Sequence, residues 1–252
     1  MNPRMLVGAI AAAALVGLGL MAVPAGAATF TVTTTADVVD AGDGVLSLRE
    51  AIEGANVSAG ADEIMLAAGV HTLTIPGTGG NNDNADGDLD HLDSGQLTIR
   101  GAGLDVTTID AAGLGDRILD VRSGDLVIEN ITVTNGDVVG GGGAIRATNS
   151  LAATRLRATG NDATEGGGAI RVTGSAAATI TASRFDGNHS DMNGGAVHGA
   201  GITATESVFS GNTADSAGGA LYGPGRTASP GRSSTATRLW ATAVPSGTAT
   251  PR

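Results

Sequence analysis

The 252-residue chain contains no cysteine, and its only aromatic side chains are three Phe, one Tyr and one Trp. Without cysteine there is no disulfide framework, thiolate zinc site, iron–sulfur cluster or cysteine nucleophile. Lysine is absent too: all 14 basic residues are arginines, set against 25 acidic residues for a formal net charge of −11. That balance offers no basic surface to neutralise phosphates and argues against nucleic acid as a partner. Hydrophobic residues make up 41% of the chain, nearly all of them Ala, Val, Leu and Ile. A core is affordable, but it must be thin and layered from small aliphatic side chains.

Long apolar runs are scarce as well. One occurs, from Met5 to Val23, preceded by Arg4 and followed by Pro24-Ala25-Gly26-Ala27. A positive end, an apolar stretch and an A-x-A site read as a secretory signal peptide, residues 1–27, cut after Ala27. The rival is an uncleaved anchor, since the run has a length that can span a bilayer, about 17–25 residues. The expectation is an exported chain starting at Ala28, with no later membrane span.

What is abundant is glycine, 41 residues, and it recurs in phase. Gly142-Gly143-Ala144-Ile145, Gly167-Gly168-Ala169-Ile170, Gly194-Gly195-Ala196-Val197 and Gly218-Gly219-Ala220-Leu221 follow one another at spacings of 25, 27 and 24 residues. Gly160-Asn161, Gly187-Asn188 and Gly211-Asn212 keep step, with Phe185 and Phe209 three residues before the last two Asn. Between the markers, stretches such as Leu126-Val127-Ile128 and Ile131-Thr132-Val133 alternate in the manner of strands. A unit of this length with short strands and glycine corners cannot bury its own apolar face and must stack on its neighbours. The predicted fold is all-β, a right-handed parallel β-helix over residues 28–225, with Asn161, Asn188 and Asn212 forming a hydrogen-bonded ladder at one corner.

An open coil end is an exposed sheet edge that proteins usually cover. Ser47-Leu48-Arg49-Glu50 fits a capping box in which Ser47 and Glu50 satisfy free N–H groups at a helix start. Leu48, Ala51, Ile52 and Ala55 then line one face, which predicts a short N-terminal capping helix.

These residues carry a family resemblance. Phe30-Thr31-Val32-Thr33 before an acidic stretch, Ser47-Leu48-Arg49-Glu50-Ala51-Ile52 with Ala55-Asn56, Leu97-Thr98-Ile99-Arg100-Gly101-Ala102-Gly103 and the GGA repeats together resemble the CSLREA-type secreted right-handed β-helix proteins. The later repeats also resemble the GGA and FxxN units of polymorphic outer-membrane proteins and autotransporter-like adhesins. The resemblance covers about residues 29–223 and implies an extracellular or surface location and a β-helix; it transfers no catalytic residue. In place of the family's cysteine stands Leu46.

After Gly225 the character changes. Residues 216–252 contain no acidic residue, and the tail from Arg226 to Arg252 shows neither marker. It reads as a disordered Ser/Thr/Pro/Gly tail or as an out-of-frame replacement of further coils.

Aligning the coils on GGA places Arg146, Arg171, His198 and Tyr222 at one position, as an outward column with neighbours about 4.8 Å apart. Stacked arginines repel unless a carboxylate or another anion lies between them. The functional reading is a strip for acidic sugars, with the arginines gripping carboxylates, His198 hydrogen-bonding and Tyr222 offering a stacking face. The plainer reading is a solvated face whose long side chains splay apart.

A second candidate is Asn82, Asn84, Asp86, Asp88, Asp90 and Asp93, whose spacing follows a calcium loop with Gly87 at its sixth place. Asn82 and Asp93 replace the usual end ligands, so an acidic turn is the competing explanation. Asp191 and Asp215 share a coil position, but no acidic cluster beside the arginine column is evident from the markers.

The expected function is an exported or cell-surface binding or structural module, monomeric and non-catalytic, contacting polysaccharide or host-surface glycan. It requires no cofactor, calcium being the metal considered. The alternatives are a polysaccharide lyase or glycoside hydrolase on the same fold, and a truncated fragment of a larger surface protein.

Overall fold

The structure is a computed structural model that describes residues 26–77 and 84–223, and the backbone of Thr237–Leu239. Most of the leader, residues 1–25, and most of the tail lie outside the described residues.

The described chain is a parallel β-helix of three sheets. The largest passes from Thr29–Val32 through Asp62–Leu66, Leu97–Gly101 and Leu126–Thr134 to Leu151–Thr159 and the later coils. A second sheet stacks six short strands: Leu89–His91, Leu119–Val121, Ile145–Ala147, Ile170–Val172, Val197–His198 and Leu221–Tyr222. The third holds Asp137–Val138, Asp162–Ala163, His189–Ser190 and Thr213–Ala214. Every pairing is parallel except that of Thr237–Leu239 with Ser207–Phe209.

The alternation seen in the sequence produces this architecture directly. In Leu126–Thr134 the buried residues are Leu126, Ile128, Ile131 and Val133, so the alternation slips by one residue at Asn130. Asn130 has φ 57°, and the register-equivalent Arg155, Ala182 and Glu206 have φ 49°, 49° and 52°. One left-handed residue per coil bends the sheet while both of its arms keep apolar side chains inward. Phe185 and Phe209 lie in this interior with rings stacked 4.9 Å apart.

The GGA marker makes another corner. Gly142, Gly167, Gly194 and Gly218 take φ of 76°, 78°, 69° and 69°. The next glycine in each of the first three triplets packs against backbone of the adjoining coils. Ala144, Ala169 and Ala196 are fully buried, and the aliphatic residue that follows each one opens a strand of the second sheet.

At a further corner the Asn side chains stack. Asn161 Nδ2 donates to Asn188 Oδ1 over 2.9 Å, Asn188 Nδ2 donates to Asn212 Oδ1 over 2.8 Å, and the Asn161 and Asn188 backbone N–H groups donate to the same two oxygens. The Asn188 amide also donates to Ala158 O. Asn188→Ala therefore removes the acceptor of two buried donors and should cost about 2–4 kcal/mol in urea unfolding. A loss below about 0.5 kcal/mol, the level of an ordinary surface substitution, would mean that the ladder carries no stability.

The helix Leu48–Val57 closes the N-terminal end, burying Leu48, Ala51, Ile52 and Ala55. Its capping box is complete: Ser47 Oγ accepts from Glu50 N over 3.1 Å, and Glu50 Oε2 accepts from Ser47 N over 2.9 Å. Arg49 is buried in the same lid and forms a fork on Asp37, with Nε 2.8 Å from Oδ1 and Nη2 3.1 Å from Oδ2. Burial pushes the Asp37 carboxyl up, but Arg49 and the N–H groups of Ile75 and Thr74 outweigh it and hold the group below its ordinary value.

Candidate functional site

The second sheet sets its side chains in columns, because each strand pairs in parallel and in register with the next. Arg146 pairs with Arg171, Arg171 with His198 and His198 with Tyr222. The column continues in the other direction to Asp120, opposite Arg146, and then to Asp90. Read from the N-terminal coil, one line of side chains runs Asp90, Asp120, Arg146, Arg171, His198, Tyr222.

At the acidic end the carboxylates converge. Oxygens of Asp88, Asp90 and Asp120 lie within 4.8 Å of one another. Three arginines enclose them. Arg146 forks onto Asp120, with Nε 2.8 Å from Oδ1 and Nη2 against Oδ2. Arg122 Nε is 3.0 Å from both Asp90 Oδ1 and Asp120 Oδ2, and Arg117 Nε is 2.9 Å from Asp88 Oδ2. The Asp90 and Asp120 side chains are 1% and 0% exposed, so these two acids sit beneath their partners.

Such packing disfavours ionisation. Burial, then the neighbouring Asp116 and Asp90, raise the Asp88 carboxyl from an ordinary 3.8 to about 7, against the pull of Arg117. Burial likewise lifts Asp90 to about 6, with Arg122 opposing. On the Arg146 side, the bond to Asp120 raises the guanidinium further, so it remains charged.

Toward the other end the column opens. Arg171 pairs with Glu165 through Nη1, leaving a side chain 28% exposed; Arg146 is 29% exposed. The two stacked arginines therefore each meet a carboxylate of the protein itself, Asp120 and Glu165, rather than splaying apart. His198 meets Tyr222 edge-on with ring centres 5.2 Å apart. Burial and the Arg171 charge keep His198 below its ordinary value, so the ring is neutral at pH 7. Gly166 makes room for it, since a Cβ there would overlap the imidazole.

The calcium-loop residues do not wrap a common centre among the described residues, and Asn82 lies outside them. Asn84 is buried and turns Oδ1 to Asp90 N at 2.9 Å and Nδ2 to Asp90 O at 3.0 Å, clamping the strand rather than facing an ion. Asp93 Oδ2 accepts from Gly95 N at 2.7 Å. Asp88 and Asp90 turn toward Asp120, and Asp86 has an interaction of its own.

The markers missed Asp120 and Asp90 because their coils lack GGA. Ile118 stands in the place of Ala144, preceded by Asp116-Arg117 instead of two glycines. A subtler signal was present: Leu89-Asp90-His91 and Leu119-Asp120-Val121 have the same outward middle residue as Ile145-Arg146-Ala147 and Ile170-Arg171-Val172. On the third sheet, Asp191 gathers with His189 and Asp162.

Residues 206–224, the last coil described, match the Chlamydia polymorphic membrane protein repeat. No curated protein and no solved structure matches the chain.

Proposed function

We propose that the protein is an exported, cell-surface β-helix that binds glycans along the second-sheet column and performs no chemistry on them. The observation that carries this reading is the column itself: Arg146, Arg171, His198 and Tyr222 stand in strict register on a rigid ladder. A repeating polymer laid along the coils meets a guanidinium, an imidazole and a phenol at intervals of about 4.8 Å. Although each arginine already holds a carboxylate, its five donors leave capacity for a second acceptor. The repeat match in residues 206–224 supports a surface location.

The test is binding of a panel of polyuronates and neutral polysaccharides to the purified chain by calorimetry. Arg171→Ala and Tyr222→Ala should each weaken polyuronate binding about tenfold, the loss expected of one charge-assisted or stacking contact of about 1.4 kcal/mol. Unchanged affinity in both, or no binding by the wild type, would overturn the proposal. Arg146→Ala is a poorer probe because it also removes one of the two arginines that hold the buried Asp120.

One observation favours a second reading, hydrolysis: a carboxyl held near pH 7 in Asp88 beside two further carboxylates. Against it, Asp90 and Asp120 are sealed under Arg122 and Arg146. Following the same panel for shortened chains and for unsaturated uronate absorbance separates the two, since a binding module yields neither.

A further inference from the structure

We infer that the third sheet holds a divalent transition-metal site formed by Asp162, His189 and Asp191. Asp162 and His189 are register partners on adjacent coils, and Asp191 follows His189 by two residues. One ligand atom from each lies within 4.8 Å of the others. The site is independent of the glycan column, which occupies the second sheet.

Two further features point to a cation. The first is the way His189 is held. Its Nδ1 is 2.9 Å from Thr213 Oγ1 on the next coil, which fixes the ring and turns Nε2 toward Asp191 Oδ1 at 3.2 Å. Metal-bound imidazoles are oriented in this way, with one nitrogen held by a protein oxygen and the other aimed into the ligand set. An ion bound here would take the place of the Nε2–Asp191 contact and use both groups as ligands.

The second is the charge of the face. Residues 136–141, 161–166, 188–193 and 212–217 contain Asp137, Asp162, Glu165, Asp191 and Asp215 and no arginine. Among the described residues, only Glu165 of these five acids has an arginine partner, Arg171. Asp137 is stacked in register on Asp162, so like charges face each other about 4.8 Å apart. The carboxylates of the second sheet differ in this respect, because Arg117, Arg122 and Arg146 already neutralise them.

The donor set selects the ion. One imidazole and two carboxylates suit Zn²⁺, Co²⁺ or Ni²⁺ and leave further positions to water, whereas Ca²⁺ takes oxygen ligands alone. With a neutral imidazole, two carboxylates balance the charge of the ion. Bound there, the metal ties one coil to the next.

The test is calorimetric titration of the whole purified chain with Zn²⁺, and with Co²⁺ followed by its visible absorption. The same titrations are run on His189→Ala, Asp162→Asn and, as a control, Asp88→Asn. Asp162 is exposed and His189 half-exposed, Asp88 is paired with Arg117 on the second sheet, and metal-free melting curves check that the variants fold. The expected result is one ion per chain, a zinc-dependent rise in melting temperature, and affinity reduced at least tenfold by the first two substitutions and unaltered by the third. No binding to the wild type overturns the proposal, as does undiminished affinity in His189→Ala. A loss confined to Asp88→Asn would place the ion on the second sheet and overturn it equally. Calcium binding as tight as zinc binding would reduce the face to a nonspecific acidic surface and would overturn it too.

Discussion

Gly168→Ala is expected to destabilise the protein by more than about 4 kcal/mol, a loss at the extreme of single substitutions. The reason is not backbone conformation, for Gly168 is not among the positive-φ glycines. A Cβ built on it would lie under 3.0 Å from His189 O and Gly195 O, which belong to backbone of the neighbouring coils. Gly143 and Gly195 are hemmed in by carbonyl oxygens in the same way. Neither neighbour can yield without shifting its coil, because His189 N donates to Asn161 O and Gly195 N donates to Gly218 O, tying each residue to an adjacent coil. Gly174→Ala is the matched control: it has φ 64° but nothing within 4 Å of a Cβ. It should cost only the left-handed penalty of about 1–2 kcal/mol. Urea unfolding of both variants decides the matter; equal losses would show that the close approach of coils at Gly168 adds nothing beyond an ordinary glycine substitution.

This division of labour within one triplet explains which parts of the fold were readable in the sequence. GGA is conspicuous because three different demands coincide at fixed spacing: a positive-φ corner, a contact with no room for a Cβ, and a buried methyl. The Asn corner was readable for a similar reason, since few other residues offer a short side chain with donor and acceptor to a stack. The capping box of Ser47 and Glu50 needs only local geometry and so was legible as well. The acidic end of the column was not. In the coils of Asp90 and Asp120 the GGA triplet gives way to Asp86-Gly87-Asp88 and Asp116-Arg117-Ile118, and an ion network lies at the corner. Its members come from separate coils, so no local pattern announces that Asp88, Asp90 and Asp120 converge. The partners of Arg146 and Arg171 were hidden likewise: Asp120 is 26 residues before its arginine, and Glu165, only six residues before Arg171, reaches it around a corner.

That network leads to the second large effect. Asp88→Asn should stabilise the protein increasingly as pH rises from 4 to 8, relative to wild type. Burial and the adjacent carboxylates raise Asp88 in the folded state from an ordinary 3.8 to about 7. Above pH 7 the folded chain must hold an unfavourable charge that the unfolded chain carries freely. As pH falls through 7 the fold takes up a proton that the unfolded chain does not, and stability is regained until both forms are protonated near pH 4. At about 1.4 kcal/mol per unit the swing is on the order of 4 kcal/mol. Asparagine has no such titration, so the variant-minus-wild-type difference in unfolding free energy should climb by that amount between pH 4 and 8. Taking the difference matters, because burial holds His71, His91 and His198 below their ordinary value. Those histidines make the fold lose stability as pH drops below about 6.5, and they contribute equally to both proteins. Asp90, lifted to about 6 by burial and Asp120, acts in the same direction as Asp88, and because it loses its proton before Asp88 does, its contribution stays in both proteins. Denaturant unfolding at pH 4, 6 and 8 measures the difference. A flat line would mean that Arg117 fully compensates Asp88, and the network would then be an ordinary set of ion pairs; a falling line would mean that Asp88 is held ionised, which also removes the ground for a proton-donating role in hydrolysis.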